Sequence, residues 1–259
     1  MSQHKPVPSR SFEGKVVLVT GGAGGIGRAA ALAFGQAGAS VVVADLSAEG
    51  EQTAAAIVAA GGSAVFRRMD VTRAAEVAEL VEATVATFGR LDCAFNNAGI
   101  EEEHAPLAQG DEAMFDRIMD VNVKGVWLCM KYEIAQMLKN GGGAIVNTAS
   151  VAGLIGAPTQ SAYAASKHAV VGMTKTAAIE YGRAGIRVNS VCPGVINTKM
   201  LTRALEREPQ RAKKLRNVHP IGRFGESEEI ANATLWLCSD QASFVTGHQL
   251  AVDGGLTAI

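Results

Sequence analysis

Tyr163, Lys167 and Ser150 form the set of side chains with the clearest chemical potential in this chain. Tyr163 and Lys167 are four residues apart, so on a helix they share one face, with the ammonium near the phenol. A phenol normally titrates near pH ~10, but a nearby cation can lower its pKa by roughly 1–3 units. Such a tyrosine can act as a general base, while the Ser150 hydroxyl stabilises charge that develops on a reacting oxygen.

A tyrosine and a lysine at this spacing are, taken alone, most often a lysine stem lying along a half-buried aromatic ring. The glycine-rich run Thr20-Gly-Gly-Ala-Gly-Gly-Ile-Gly27 argues against that interpretation. Gly21 permits a tight turn, Gly25 lets the backbone approach a pyrophosphate, and Gly27 allows a helix to pack on a strand. The phosphates would lie at the helix N-terminus, where free N–H groups favour anions. Together the two motifs predict hydride transfer on an alcohol or carbonyl.

Asp45 indicates which dinucleotide is used. It ends the second predicted strand, about 20 residues after the glycine-rich turn, where a carboxylate can hydrogen-bond a ribose 2′-hydroxyl and repel a 2′-phosphate. Positions 22, 24 and 46 are Gly, Gly and Leu, so these loop positions offer no Arg or Lys to a phosphate. The sequence therefore predicts NAD. In the alternative interpretation, Asp45 only caps the helix that follows.

Composition restricts the class of protein. The 259 residues are 48% hydrophobic and 5% aromatic with a net charge of −1, which suits one α/β domain over 12–259 after a flexible tail at 1–11. The near-neutral charge and low aromatic content do not indicate nucleic-acid binding, and no apolar run is long enough for a membrane helix. The N-terminal residues lack the apolar segment of a secretory signal peptide, so we expect a cytoplasmic protein. The four cysteines are expected to be buried thiols, with Cys192 nearest the cofactor, and the histidine spacing predicts no catalytic metal.

Val- and Ile-rich runs alternate with Ala-rich helical patterns, which predicts a single-domain, Rossmann-like, doubly wound α/β fold with a seven-stranded parallel sheet and helices on both faces. The predicted strands are Lys15–Thr20, Ser40–Ala44, Ala64–Met69, Leu91–Asn96, Ala144–Thr148, Arg187–Val191 and Gln249–Val252. The predicted helices are 25–38, 47–60, 73–88, 111–138, 160–183 and 226–238, with one more in 199–216.

Five motifs occur in one order: Thr20-Gly-x-x-x-Gly-x-Gly27, Asn96-Asn-Ala-Gly99, Ser150, Tyr163-x-x-x-Lys167 and Pro193-Gly194. In this order and spacing the chain resembles a short-chain dehydrogenase/reductase over roughly residues 12–257. The resemblance implies an NAD-dependent oxidoreductase that interconverts a secondary alcohol and its ketone, with Tyr163 as general acid and base.

The resemblance also assigns site residues. Asp70 and Val71 match positions at the adenine edge, Asn97-Ala98-Gly99 runs beside the adenosine ribose, and Lys167 bonds the nicotinamide ribose. Asn97 alternatively ties strands together. The stretch from Pro193 to Thr198 holds the carboxamide, and Asn122 kinks a helix and holds a water that connects Lys167 to solvent. The implied catalytic residues are Asn122, Ser150, Tyr163 and Lys167, and the implied cofactor-binding residues are Gly21, Gly24, Gly25, Ile26, Gly27, Asp45, Leu46, Asp70, Val71, Asn97, Ala98, Gly99, Tyr163, Lys167, Pro193, Gly194, Ile196 and Thr198.

Other members of the family remain as alternatives. A 3-oxoacyl-carrier-protein reductase usually takes NADPH and often carries Arg at the position of Ile179, and enoyl reductases space their Tyr and Lys more widely. Epimerases and dehydratases of the extended branch have a different glycine spacing. A catalytically idle NAD(H)-binding protein would not need Asn122, Ser150, Tyr163 and Lys167 together.

Three further expectations concern substrate and assembly. Residues 195–218 are expected to form a mobile lid, because Met200 and Leu201 offer apolar contacts beside a basic face. The apolar stretch after Ser150 predicts a neutral, compact, cyclic secondary alcohol or its ketone. Glu101–Glu103 would form an acidic cavity entrance or, alternatively, a solvated surface. Surplus apolar residues on helices 111–138 and 160–183 predict a homotetramer.

Overall fold

A seven-stranded sheet organises the computed structural model, which describes residues 11–102, 104–198, 201–202 and 217–258. Its order is β3-β2-β1-β4-β5-β6-β7, and every neighbouring pair is parallel. The strands are Val16–Thr20, Ser40–Asp45, Ser63–Arg68, Cys93–Asn96, Gly143–Thr148, Ile186–Pro193 and Gln249–Val252, numbered β1 to β7. Each lies within two residues of its predicted bounds. The inner strands are largely buried on both faces, which marks parallel strands clearly, whereas the edge strands β3 and β7 are only partly buried.

Seven helices cover the two faces of the sheet in the part of the chain that the structure describes. They are Gly25–Gln36, Gly50–Ala59, Ala74–Phe88, Glu112–Met119, Val126–Asn140, Ser161–Tyr181 and Ser227–Cys238, numbered α1 to α7. The helix predicted within 199–216, most of the predicted lid and nearly all of the predicted tail lie outside the described residues. The predicted start of α2 at residue 47 is wrong, since that helix begins at Gly50.

The helix predicted over 111–138 is interrupted. A π-helical turn, Asp120–Gly125, joins α4 to α5, and α5 continues to Asn140. Asn122 is fully buried in this turn, where its Oδ1 accepts a hydrogen bond from Ile100 N (2.9 Å) and its Nδ2 donates to Ile100 O (2.9 Å). This pairing with a distant loop backbone explains why hydrophobic periodicity alone does not reveal the break, and π turns of this kind occur frequently at functional sites.

The chain reverses its direction of growth at β1 and β4, which are neighbours in the sheet. One apolar layer, around Phe34 and Ile57, packs α1, α2 and α7 on one face, and another, around Leu91 and Ile145, packs α3, α5 and α6 on the other. Loops leaving the carboxyl ends of β1 and β4 therefore part in opposite directions and leave a crevice between them. Such a switch point is where open α/β sheets bind ligands.

Buried polar contacts secure the end of β4. Asn96 Nδ2 donates to Glu133 Oε2 on α5 (2.9 Å) and to Asn147 Oδ1 on β5 (3.1 Å). Burial raises the pKa of Glu133 to about 7. These hydrogen bonds link two strands and a helix immediately before Asn97, and they help to fix the loop that carries Asn97, Ala98 and Gly99.

Candidate active site

A cavity of about 1290 Å³ opens at the carboxyl edge of the sheet, at the switch point. It gathers every predicted catalytic or cofactor-binding residue except Gly27 and Asn122. The predicted residues that line it are Gly21, Gly24, Gly25, Ile26, Asp45, Leu46, Asp70, Val71, Asn97, Ala98, Gly99, Ser150, Tyr163, Lys167, Pro193, Gly194, Ile196 and Thr198. The carboxyl ends of six strands, β1 to β6, and the loops that follow them thus contribute residues to one space.

The glycine-rich turn has the shape that a dinucleotide needs. Gly21 has a φ of +67°, and a Cβ there would lie 2.8 Å from Asn97 Nδ2 and 2.9 Å from Ala98 Cα. A Cβ at Gly27 would clash with Gly21 O, so only glycine lets α1 pack this closely. A Cβ at Gly24 would contact nothing within 4 Å, which leaves space above the first turn of α1. The turn therefore fits a pyrophosphate at the helix N-terminus.

Asp45 holds the glycine-rich turn in place. Its Oδ2 accepts a hydrogen bond from Ala23 N (2.9 Å) and its Oδ1 accepts one from Ser47 N (2.8 Å). The N-cap of α2 is Glu49, so the interpretation of Asp45 as a helix cap is wrong. A carboxylate has about four lone-pair sites and can also accept a hydrogen bond from a ribose hydroxyl.

Arg68 lies beside Asp45, although the loop positions considered in the sequence offered no basic residue. The two residues are partners in the β2–β3 register, and Arg68 Nε donates to Leu46 O (3.0 Å). Positions 22, 24 and 46 alone do not reveal this guanidinium, because it lies on the neighbouring strand β3. Pairing the ends of the second and third predicted strands would have revealed it. Its position bears directly on the choice between NAD and NADP.

Asn97 fulfils the structural alternative given for it. Its Nδ2 donates to Thr20 O (3.3 Å) and Gly21 O (3.2 Å), and Thr148 Oγ1 donates to its Oδ1 (3.4 Å). Thr20 Oγ1 accepts from the backbone N–H groups of Asn97 and Ala98. Asn97 therefore ties β1, β4 and β5 together while its loop lines the cavity.

Asp70 and Val71 follow the end of β3 at Arg68. Asp70 Oδ1 accepts hydrogen bonds from Thr72 N (2.9 Å) and Thr72 Oγ1 (2.8 Å), which fixes the loop. Val71 packs against the π-helical turn, since a Cβ at Gly125 would lie 2.8 Å from Val71 Cγ2. The loop predicted at the adenine edge is thus supported from beneath by the turn that carries Asn122.

The predicted helical pairing of Tyr163 and Lys167 is present on α6. Lys167 Nζ lies 5.5 Å from the centroid of the Tyr163 ring and donates to Thr148 O at 2.8 Å. Ser150 is the N-cap of the short 3₁₀ turn Val151–Gly153, and its side chain hydrogen-bonds Tyr163. The strand end, the 3₁₀ turn and α6 therefore bring a hydroxyl, a phenol and an ammonium to one wall of the cavity.

The pKa of Tyr163 moves opposite to the predicted direction. Burial raises the pKa of the phenol, the Glu101 charge raises it further, and the hydrogen bond to Ser150 opposes them. Burial also lowers the pKa of Lys167 to about 8, against the opposing effects of Cys192 and Glu101. The prediction considered only the attraction between ammonium and phenolate, whereas both groups lie within the protein, where the charged form of each is disfavoured.

Asn122 lies directly behind the catalytic wall. Its Nδ2 also donates to Ser166 Oγ (3.2 Å), which precedes Lys167 on α6. A Cβ at Gly99 would lie 3.2 Å from Asn122 Oδ1 and 3.6 Å from Lys167 Nζ. The side chains of Asn122 and Lys167 thus both lie close to Gly99. The helix kink that the family resemblance implies at Asn122 corresponds to the π-helical turn.

His219 is a further residue that sequence reasoning missed. It is buried, and its Nε2 accepts a hydrogen bond from Val195 N (3.0 Å). A Cβ at Gly194 would lie 2.8 Å from the same Nε2. His219 therefore positions the Pro193–Thr198 stretch.

Cys192, which directly precedes Pro193, is fully buried, and burial raises its pKa to about 11. It is therefore an unreactive thiol, as expected.

The predicted acidic mouth divides into two parts. Glu101 lines the cavity and accepts a hydrogen bond from Gln160, whereas Glu102 forms an ion pair with Arg117 (3.2 Å). Glu103 lies outside the described residues.

Within the described ranges no cluster of His, Cys, Asp and Glu could hold a metal ion. None of the described helices has the length and apolarity to cross a membrane.

Comparisons with known proteins agree with this geometry. A family model described as "Enoyl-(Acyl carrier protein) reductase" matches residues 21–257. The chain is 49% identical over 249 residues to 2,5-dichloro-2,5-cyclohexadiene-1,4-diol dehydrogenase of Sphingobium indicum, covering 96% of this chain and 99% of the relative.

Two solved structures are similar throughout. Levodione reductase superposes with a TM-score of 0.92 at 41% identity, and ElxO with NADP bound superposes with a TM-score of 0.89 at 34% identity. Each comparison covers 95% of this chain and 99% of the other. The chain belongs to the short-chain dehydrogenase/reductase family and is an oxidoreductase acting on CH–OH groups.

Proposed function

We propose that this oxidoreductase, which interconverts a secondary alcohol and its ketone, uses NAD as cofactor and Tyr163 as general acid and base. One observation carries the proposal. A single cavity joins the glycine cradle and Asp45 at one end to Ser150, Tyr163 and Lys167 at the other. A nicotinamide bound there supplies C4 as the hydride acceptor or donor, and all other roles belong to this chain.

The roles proposed for the side chains are those that the family resemblance implies, and the position of Ser150, Tyr163 and Lys167 in one cavity supports them. The substrate oxygen lies between Ser150 and Tyr163, Ser150 donates a hydrogen bond to it, and Tyr163 removes or returns its proton. Lys167 favours the phenolate and binds the nicotinamide ribose. Asn122 holds a water that passes the proton onward from Lys167. Holding the reactants in this geometry contributes roughly 7–11 kcal/mol to the lowering of the barrier.

A compact, uncharged ring-borne alcohol suits the wall next to Ser150. Val151, Ala152 and Ile155 line the cavity there and offer no charge to a carboxylate or phosphate. The relative that acts on a cyclohexadiene diol supports the same class of substrate. Leu201 and Val218 also line the cavity, which supports residues 195–218 as a substrate lid, although the basic positions from Lys199 to Arg216 lie outside the described residues.

A screen for NADH formation over secondary alcohols, sugars, steroids and 3-hydroxyacyl-carrier thioesters tests this function. We expect uncharged cyclic alcohols to have the highest kcat/KM. A clear preference for acyl-carrier substrates would instead support a 3-oxoacyl-carrier-protein reductase, and no turnover of any compound would support an idle NAD(H)-binding protein. The enoyl reduction suggested by the family model's description conflicts with the four-residue spacing of Tyr163 and Lys167.

We predict that kcat/KM is higher with NAD⁺ than with NADP⁺. The Asp45 carboxylate would lie against a 2′-phosphate, and like charges in contact repel. The Arg68 guanidinium would attract a 2′-phosphate, but its Nε already donates a hydrogen bond to Leu46 O. Steady-state kinetics with both cofactors measure the preference. Asp45→Ala should narrow it, whereas Arg68→Ala should leave NAD⁺ kinetics nearly unchanged. A preference of the wild-type enzyme for NADP⁺ contradicts the assignment and makes Arg68 the phosphate ligand.

We predict a homotetramer. Phe115 on α4 and Trp127 on α5 are 47% and 49% exposed, and Ile179 on α6 is 83% exposed. Apolar side chains of this size on neighbouring helices are typical of an interface. Light scattering on the purified protein should give four times the mass of the 26.8 kDa chain. Ile179→Glu should produce smaller species, and Val58→Glu on α2, the matched control, should not. A monomeric wild-type protein at micromolar concentration would refute this assembly.

The cytoplasmic location expected from the sequence stays a prediction. It can be tested by fractionating cells that express the chain with a fluorescent tag.

A further inference from the structure

Three polar side chains that line the catalytic cavity have no part in the proposed proton transfer. Glu101, His104 and Gln160 line the same cavity as the catalytic residues. Gln160 Nε2 donates a hydrogen bond to Glu101 Oε1. The Glu101 charge raises the pKa of both Tyr163 and Lys167, as expected of a carboxylate close to the catalytic pair. These polar groups thus share the cavity with the apolar wall of Val151 and Ile155, and Arg117 and Asp120 line it as well.

His104 adds an unsatisfied hydrogen-bonding atom. Its ring Nδ1 is buried and has no hydrogen-bond partner among the residues that the structure describes. A buried nitrogen of this kind is unfavourable unless a ligand or a water satisfies it. Since His104 lines the cavity, a substrate group can reach this part of the wall.

The loop that carries these residues is anchored to the start of α6. Ala105 N donates to Thr159 O (3.1 Å), and Thr159 has a φ of +67°, a conformation that non-glycine residues rarely adopt. Gln160 follows directly and is the N-cap of α6, the helix of Tyr163 and Lys167. Glu101, His104 and Gln160 are therefore held relative to the catalytic pair by backbone contacts.

The chemistry of this set selects a hydrogen-bond donor. An ionised carboxylate only accepts hydrogen bonds and has about four lone-pair sites, and Gln160 donates to one of the Glu101 oxygens. It repels carboxylate and phosphate groups and gains nothing from a ketone oxygen. A hydroxyl group, in contrast, can donate to Glu101 and accept from a neighbouring N–H of Gln160 or His104.

We propose that Glu101, Gln160 and His104 form a subsite for a second hydroxyl group, so that the preferred substrates are uncharged diols. The second hydroxyl lies on the same ring as the carbinol that is oxidised at Tyr163. This inference rests on the proposed alcohol oxidation and specifies its substrate class. The apolar wall of Val151 and Ile155 contacts the ring, and the polar subsite orients it.

The test compares cyclohexanol with the isomers of cyclohexane-1,2-diol and cyclohexane-1,4-diol by kcat/KM for NADH formation. For the wild-type enzyme we expect the best diol to exceed cyclohexanol by about tenfold or more, the usual effect of a hydrogen bond to a charged group. In Glu101→Gln and in Gln160→Leu this ratio should fall toward one. The ratio cancels any common effect of the substitution on Tyr163.

Glu102→Gln is the matched control, because it removes a carboxylate from the same loop that pairs with Arg117 instead. It should keep the wild-type ratio. In addition, Glu101→Gln should shift the pH profile of oxidation to lower pH for every alcohol, since removing the negative charge lowers the pKa of Tyr163. An unchanged diol-to-monoalcohol ratio in both variants overturns the subsite and leaves alcohol oxidation intact. No turnover of any of these alcohols by the wild-type enzyme overturns both.

Discussion

Tyr163→Phe is expected to lower kcat for alcohol oxidation by roughly 10²–10⁴-fold, the usual contribution of a general acid or base. The substitution removes the hydroxyl that exchanges the proton and keeps the ring that lines the cavity. The dissociation constant of NADH should therefore stay close to the wild-type value. Stopped-flow measurement of NADH formation and fluorescence titration of NADH give the two quantities separately.

Tyr181→Phe provides the control, because Tyr181 ends the same helix and lies outside the cavity. It should change neither kcat nor cofactor binding. If Tyr163→Phe retained the wild-type kcat over a series of pH values, Tyr163 would not be the proton-transfer group.

The same assignment fixes a pH dependence. Burial and the Glu101 charge raise the pKa of Tyr163, so in the free enzyme the phenol is protonated at neutral pH. Oxidation requires the phenolate, so its kcat/KM should rise as pH increases from 7. Reduction requires the protonated phenol, which predominates from pH 6 to pH 10 because the pKa of Tyr163 is raised, so its kcat/KM should change little over this range. Initial rates in both directions over pH 6–10 check these signs.

The strands could be predicted from the sequence because their signal is local. A run such as Val16–Thr20 is apolar, β-branched and buried on both faces, and it is followed by glycine. The division of the 111–138 helix could not be predicted in this way. Its cause is the pairing of Asn122 with the backbone of Ile100, 22 residues away, and no helical periodicity encodes that contact. The kink at Asn122 was predicted only from the family resemblance, because the hydrophobic pattern contains no sign of it.

The site likewise contains residues that local motifs predict and residues that only long-range contacts place there. Motifs such as the glycine-rich turn identified residues that the structure places in one cavity. Three other residues were missed or undervalued, because long-range contacts place them. Arg68 reaches Leu46 through strand register, His219 reaches Val195 across 24 residues, and Glu101 bonds Gln160 across 59. Burial reversed the predicted direction of the Tyr163 pKa, since spacing reports proximity but not desolvation.

Lys167→Ala is expected to impair both chemistry and cofactor binding. Its ammonium is proposed to stabilise the phenolate of Tyr163 and to bind the nicotinamide ribose, so kcat should fall by about 10²–10³-fold, as on loss of a preorganised donor. KM for NAD⁺ should rise as well. Lys175→Ala is the matched control, because Lys175 is exposed two turns further along the same helix. If Lys167→Ala changed kcat but not KM for NAD⁺, Lys167 would not be a cofactor-binding residue.

Lys167→Met separates this functional effect from loss of folding. Lys167 is only 4% exposed, and burial lowers its pKa to about 8, below the ~10.4 of an unfolded chain. The folded state thus disfavours the ammonium, and the wild-type protein should gain stability as pH rises from about 8 to 10.4. Methionine has no charge to bury, so at pH 7 the variant should be at least as stable as wild type and should lack that gain. Thermal denaturation at pH 7 and pH 9.5 measures both effects. A variant that is inactive and clearly less stable at pH 7 would indicate that Lys167 mainly supports the fold through its bond to Thr148 O.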